Sequence, residues 1–393
     1  GACRPSGAGV LNNRDIVELT ALRRHLHRFP ELSGQEAETA RRIAANLAAL
    51  NPDQLITGLG GHGIAGVFDG AAPGETVLVR CELDALPIHE MSVVPHRSTV
   101  AGKGHLCGHD GHMVTVLALG RLLSRQRPAR GRVVLLFQPA EEDGSGAAAV
   151  ITDPAFQALR PDWAFALHNM PGLARGRCRL AAGPINCASV GLKIQLEGKT
   201  SHAAQPEAGL SPGPAMAQLI AQFAHLSSGA GALGPDYRLA TVTHARLGEP
   251  SFGISPGSSE IRVTLRTVLD GAMAGLKARS EQLAAQAIAG TGLKLSVSYH
   301  DDFAASVNDR AATALVAQAL TALEIPFGAE DLPMRASEDF GRFGSLPGTK
   351  AAMFLLGAGD SHPALHNPDY DFPDDLIAVG ASVFHQLTRK ILG

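Results

Sequence analysis

The sequence predicts an α/β protein on a mixed sheet, interrupted by a second unit of α+β type. Three observations carry this. Short apolar, β-branched runs alternate with stretches of helical period in the first half of the chain. From about residue 188 the runs change texture and alternate apolar with polar, as strands with one solvated face do. A length of 393 residues exceeds one ordinary core, so two domains are expected.

In chain order, residues 14–26 and 35–49 carry apolar residues at helical spacing, separated by the Pro/Gly-broken turn His27-Arg-Phe-Pro-Glu-Leu-Ser-Gly34. Ser33, followed by Glu36 and Glu38, reads as the start of the second helix. Ile64–Phe68 and Thr76–Cys81 are short strands, and 113–124 is an apolar helix. Arg132–Phe137 is almost wholly apolar, as a strand covered on both faces would be. Sheets of this kind gather ligands beyond the C-terminal ends of their strands. Cys81-Glu82-Leu83-Asp84, Glu141-Glu142 and His168-Asn169 all sit just after such runs. Beyond 188, strands near 189–197, 239–244, 259–267 and 293–299 alternate with helices near 211–228 and 271–289. That order is the split βαβ, ferredoxin-like arrangement of four antiparallel strands with helices on one face. The expected division is therefore 10–187 with 302–393 as one discontinuous domain, and 188–301 inserted into it.

Composition excludes several classes. Hydrophobic residues at 45% and charged residues at 18% suit a soluble globular chain, and a net charge of −3 gives no attraction to nucleic acid or an anionic membrane. No apolar run approaches the roughly 20 residues of a membrane span. The start, Gly1-Ala-Cys-Arg-Pro-Ser-Gly-Ala-Gly9, lacks the apolar core of a secretion signal and reads as a short disordered leader or expression remnant. Five scattered cysteines, an odd number, argue for a reducing compartment, the cytoplasm.

The densest chemistry lies in Gly102–His112, where His105, Cys107, His109 and His112 crowd one loop entering a helix. A single histidine is more often a satisfied core or surface residue, but a thiol with three imidazoles points to a metal. Cys107 and His109 would point apart on a helix; in an extended loop, which Gly104, Gly108 and Gly111 favour, they can face one way. Paired glutamates are usually a solvated step, yet Glu141-Glu142 follow a buried strand and Gln138-Pro139. Adjacent carboxylates after a strand point to different sides, so one can ligate while its neighbour handles a proton. That is the chemistry of metal-assisted hydrolysis, in which the ion makes hydroxide available and polarises a carbonyl. Asp84 is placed either to orient a ligand imidazole or as a simple turn carboxylate before Pro87. His168 and His366 share the local wording Leu-His-Asn.

Read together, these strings, with His27-Arg-Phe-Pro-Glu-Leu, Gly198-Lys-Thr-Ser-His-Ala-Ala, Ser337-Glu-Asp-Phe and Leu365-His-Asn-Pro-Asp-Tyr-Asp-Phe, resemble the M20 metallopeptidase family. The resemblance is to its amidohydrolase branch of hippurate hydrolases, N-acyl-amino-acid amidohydrolases and auxin-conjugate hydrolases, and spans nearly the whole chain. It implies a metal-dependent exopeptidase-like catalytic domain with an inserted lid and dimerisation domain. It further implies two divalent ions per subunit held by Cys107, His109, Glu142, His168 and His366, with Zn²⁺, Mn²⁺, Co²⁺ and Ni²⁺ all open. Glu141 would be general base and then acid, and Asp84 would orient. His202 of a homodimer partner would stabilise the oxyanion. The implied reaction is cleavage of an N-acyl amino acid or similar small conjugate, with water as nucleophile. Arg262 or Arg266, at i and i+4 on one strand face, could hold the substrate carboxylate. A dipeptidase or aminoacylase with the same machinery is the runner-up, and a catalytically silent binding protein is disfavoured because every ligand and the base are present. Three departures bear on substrate: Glu82 where relatives carry aspartate, Gly253-Ile-Ser-Pro-Gly257 where they carry Asn-Val-Ile-Pro, and His362 beside the usual histidine stretch.

Overall fold

The computed structural model describes residues 9–229 and 233–393, so residues 1–8 of the expected leader lie outside it. The chain divides into two compact units. One comprises Gly1–Gly183, Val307–Leu332 and Asp339–Gly393; the other comprises Pro184–Ser306 and Pro333–Glu338.

The first unit is built on an eight-stranded mixed sheet. At its centre Arg130–Gln138, Ala72–Glu82, Trp163–Pro171 and Lys350–Gly359 lie side by side in parallel, while Gly63–Asp69 and Gln54–Leu59 extend one edge antiparallel. The central runs are Val/Leu-rich because both faces are covered: Val133 to Phe137 and Val77 to Val79 are wholly buried. The helix His109–Arg125 is apolar almost all round because it lies under other elements, touching the sheet, the Asn13–Arg28 helix and the Leu376–Leu392 helix.

The first helix starts on a capping box, Asn12 Oδ1 accepting from the Asp15 amide and Asp15 returning to the Asn12 amide. Asp15 is also pinned to Arg125 and Arg121 of the central helix. Burial opposes its charge, but the hydrogen bonds from Arg125, Asn12 and Arg121 hold its carboxyl down to about 2. A folded pKa below the unfolded one contributes stability that is present above about pH 4 and lost as pH falls through about 2. Asp15→Asn is therefore expected to lower stability at neutral pH by about 2 kcal/mol. The difference from wild type should shrink in acid, read from urea melts at pH 7 and pH 3.

The second helix does not start at Ser33. It runs Ala37–Ala48 with Glu36 at its N-cap and no side-chain cap bond. The Ser33 hydroxyl is used elsewhere, donating to Asp84 Oδ2 at 2.7 Å, and Glu36 Oε1 accepts from the amides of Gly34 and Ala140. A long-range partner overrides the local capping pattern.

The second unit holds four antiparallel strands in the order Arg238–Leu247, Ser258–Thr267, Ala188–Glu197, Lys294–Phe303. Alternation puts Val190, Leu192, Ile194, Ile261, Val263 and Leu265 on one face, packed with Leu219 and Phe223 of the Gly213–Ala224 helix and Leu276 and Leu283 of the Asp270–Ile288 helix. Among the described residues no helix is long and apolar enough to cross a membrane.

Candidate active site

The C-terminal ends of the four central parallel strands deliver the first unit's chemistry to one place. Asp84 follows the Ala72–Glu82 strand, Glu141 and Glu142 follow Arg130–Gln138, His168 lies in Trp163–Pro171, and His366 follows Lys350–Gly359. Cys107 arrives from the loop before His109–Arg125, whose first residue is His109 itself, entered through Gly108 at φ 89°.

Ligand atoms of Cys107, His109 and His168 lie within 4.8 Å of one another, as do those of Cys107, Glu142 and His366, and those of His109, Glu141 and Glu142. His109 Nε2 is 3.6 Å from Glu142 Oε1 and 3.8 Å from Glu141 Oε2, and His366 Nε2 is 3.6 Å from Glu142 Oε2. Glu82, His109 and His112 also cluster, but Glu82 and His112 already bond to each other at 2.8 Å and Glu82 to Arg80, so their atoms are committed. Among the described residues His105 joins no such group of ligand atoms, and burial pushes its ring down to about 4.

The two glutamates do not point to opposite sides. Ala140 takes φ 48°, which turns the chain out of the strand before Glu141, so both carboxylates approach His109 Nε2. Asp84 orients more than an imidazole. His109 Nδ1 donates to its main-chain carbonyl at 2.7 Å and lies 3.3 Å from Oδ1, while Oδ2 accepts from the Glu142 amide at 2.9 Å and from Ser33. His366 sits at φ 68°, costly for a histidine, and is secured by its amide donating to the Leu106 carbonyl at 2.8 Å.

The electrostatics suit a cation. Burial disfavours charge on His109, but Glu82, Asp84 and Glu142 outweigh it and hold the ring up to about 10. Burial, then Glu142 and Glu141, push the Cys107 thiol well up. Desolvation, then His112, push His168 down to about 3, keeping that ring neutral. His109 Nε2 and Glu142 Oε1 are buried without a hydrogen-bond partner among the described residues. Such atoms cost about 1–3 kcal/mol each unless something satisfies them. A thiol, three imidazoles and a carboxylate around two unsatisfied ligand atoms fit a pair of divalent transition ions. A groove of about 350 Å³ lined by His25, Phe29 and Arg42 contains none of these side chains and lies apart from the chemistry.

The family model of peptidase family M20/M25/M40 matches residues 78–390. The chain belongs to that family. It is 32% identical over 382 residues to the N-acetyl-L-cysteine deacetylase of Bacillus subtilis, covering 95% of this chain and 88% of that protein. It is 30% identical over 387 residues to IAA-amino acid hydrolase ILR1-like 5 of Arabidopsis thaliana, covering 95% and 86%. A dinuclear metal-binding M20 peptidase from Bacillus subtilis superposes with a TM-score of 0.80 over 97% of this chain and 99% of that one, at 24% identity, and shares the fold.

In this M20-family chain His202, Arg262 and Arg266 lie in the second unit, and His362 lies in the first. His202 is exposed on a two-residue strand paired with Ile254–Ser255. Its Nδ1 accepts from the Ala204 amide at 3.0 Å, so the neutral ring carries its proton on Nε2 as a donor. Arg262 pairs with Glu260 at 2.5 Å, and Arg266 donates to the Arg335 carbonyl and the Ser337 hydroxyl. The Arg262 side chain is 57% exposed. His362 binds the Asp371 carbonyl at 2.6 Å, tying its own loop. Sequence reasoning passed over Arg23, whose buried guanidinium joins Asp110, Asp371 and Asp374, and over Asn169 and Tyr370. The only local signal for them was their place beside the histidine strings.

Proposed function

We propose that the chain hydrolyses the amide bond of N-acyl amino acids and similar small conjugates with two divalent ions. Cys107, His109 and His168 would hold one ion, and Cys107, Glu142 and His366 the other. The observation that carries this is the convergence of two ligand groups sharing Cys107 beside Glu141, itself 4% exposed. One relative is named for deacetylating N-acetyl-L-cysteine and another for hydrolysing IAA-amino acids, which supports an acylated amino acid as substrate. When bound, such ions supply Lewis acidity, acidifying water and polarising the scissile carbonyl. Glu141 takes a proton from the attacking water as its oxygen bonds to the carbonyl carbon, and returns it to the amine as the C–N bond breaks. His202 Nε2–H, from a dimer partner, donates to the developing oxyanion. Asp84 keeps His109 and the Glu142 backbone in register, and Arg262 or Arg266 receives the substrate carboxylate. Thiolate and imidazole favour Zn²⁺, while the carboxylate accommodates Mn²⁺, Co²⁺ or Ni²⁺. The thiols of Cys81, Cys107, Cys178 and Cys187 are free and buried, which suits the cytoplasm.

The test is metal analysis of the purified chain, then turnover of hippurate, acetylated amino acids and dipeptides with that metal restored. Turnover of dipeptides alone would favour the exopeptidase reading; no metal and no amide cleavage would end both. His202→Ala is expected to lose about 10²–10³ in kcat. Mixed dimers of His202→Ala with Glu141→Ala chains should regain one working site. Absence of that complementation would sink the contribution across subunits.

A further inference from the structure

Beneath the candidate ligands runs a buried polar chain whose hydrogen-bond directions are fully determined. His112, 1% exposed, has Nδ1 at 2.8 Å from Glu82 Oε2 and Nε2 at 3.1 Å from both the backbone amide and Nδ2 of Asn169. A backbone amide only donates, so Nε2 is the acceptor and the ring proton sits on Nδ1, given to Glu82. The Asn169 amide is oriented from both ends: Nδ2 donates to the Cys107 carbonyl at 2.9 Å, and Oδ1 accepts from the Tyr370 hydroxyl at 2.5 Å. Its main-chain carbonyl accepts from His168 Nδ1 at 2.8 Å, which leaves His168 Nε2 facing Cys107 Sγ at 3.6 Å. Asn169, Tyr370 and Glu82 are all wholly buried. The close approach needs Gly108, since a Cβ there would lie 2.1 Å from Asn169 Nδ2 and 2.8 Å from the Tyr370 hydroxyl.

One asparagine thus clamps the carbonyl of Cys107, in a loop, with its side chain and the tautomer of His168, in a strand, with its main-chain carbonyl. We propose that Asn169 and His112 are positioning residues that set the Cys107–His168 spacing and so the affinity of the ion shared by Cys107, His109 and His168. The proposal rests on the reading of those three as ligands. Glu82 belongs to the same device: its carboxylate reaches His112 with one oxygen and Arg80 with the other.

The test measures metal stoichiometry and affinity by equilibrium dialysis with Zn²⁺ or Co²⁺, beside thermal melts of the metal-free proteins. Asn169→Asp replaces the Nδ2 donor with an acceptor facing the Cys107 carbonyl and His112 Nε2. It should weaken the ion held by Cys107, His109 and His168 roughly 10–100-fold, and the ion that shares only Cys107 with it by clearly less. His112→Phe should do the same, whereas His112→Gln, which keeps one donor and one acceptor, should largely restore binding. Tyr370→Phe, which only unties Oδ1, should give a smaller loss at the same ion and stands in should His112→Phe not fold. Two ions bound at wild-type affinity in both Asn169→Asp and Tyr370→Phe would overturn the proposal. So would equal loss of both ions together with a lower melting temperature of the metal-free variants, which marks a merely structural role. Cys107→Ala separates the two levels: if it still binds two ions normally, the ligand reading itself is at fault.

Discussion

Glu141→Ala is expected to cost about 10²–10⁴ in kcat on any N-acyl amino acid the wild type cleaves, the span a positioned general base contributes. Fold and metal content should survive, because Asp84, Asn169 and Leu106 hold the backbone that carries the candidate ligands. Glu141→Gln should lose as much, since it keeps the shape and removes only the base. The KM should move little, so the loss appears in kcat and kcat/KM alike, the pattern of an interaction made in the transition state. A kcat within about tenfold of wild type for both variants would remove Glu141 from the reaction. Loss of an ion in either variant would recast it as a ligand, which its 3.8 Å approach to His109 Nε2 makes the competing outcome.

The largest effect on stability is expected at Arg80. Its guanidinium, 1% exposed, joins Glu82 at 2.5 Å, Gln138 at 2.8 Å and Asp339 at 2.6 Å, and so links two neighbouring strands to the segment after residue 338. Arg80→Met leaves Glu82 and Asp339, both wholly buried, without that cation. Breaking a buried pair in this way costs roughly 3–5 kcal/mol. That is a large share of the about 5–15 kcal/mol a folded protein holds in reserve. Arg80→Lys should recover little, because a point ammonium cannot serve three partners as a planar fork does. Arg80→Met with Asp339→Asn should lie well above the sum of the singles, a coupling readable from urea melts. Additive losses would show that the attraction between Arg80 and Asp339 is not what the site depends on.

Much of the fold was legible because periodicity is local. The run read as a strand at 132–137 is Arg130–Gln138, and the helix read at 14–26 is Asn13–Arg28. In each case burial of one face or both is written into neighbouring residues. The second unit was as readable, since strict alternation in Ser258–Thr267 leaves only one way to bury Ile261, Val263 and Leu265. The readings that failed did so where a distant partner or an unforeseen backbone turn overruled the local pattern. Ser33 looked like a cap until Asp84 took its hydroxyl, and the Glu141-Glu142 pair looked like alternating strand positions until Ala140 turned the chain.

By itself the sequence determined the layers, the strand ends at which chemistry gathers, and the residue types that gather there, because these follow from the period of burial and from the scarcity of thiol, imidazole and carboxylate in apolar surroundings. Only the tertiary structure decided which groups are committed and which are left over. Tyr370 meets Asn169 across 201 positions and Arg80 meets Asp339 across 259, and no local pattern encodes such bonds. His112, indistinguishable from His109 in its string, is bound on both ring nitrogens, while His109 keeps Nε2 buried and unsatisfied. Hydrogen-bond satisfaction is a property of the packed interior, so the difference between a supporting histidine and a candidate ligand appears only once the interior is closed.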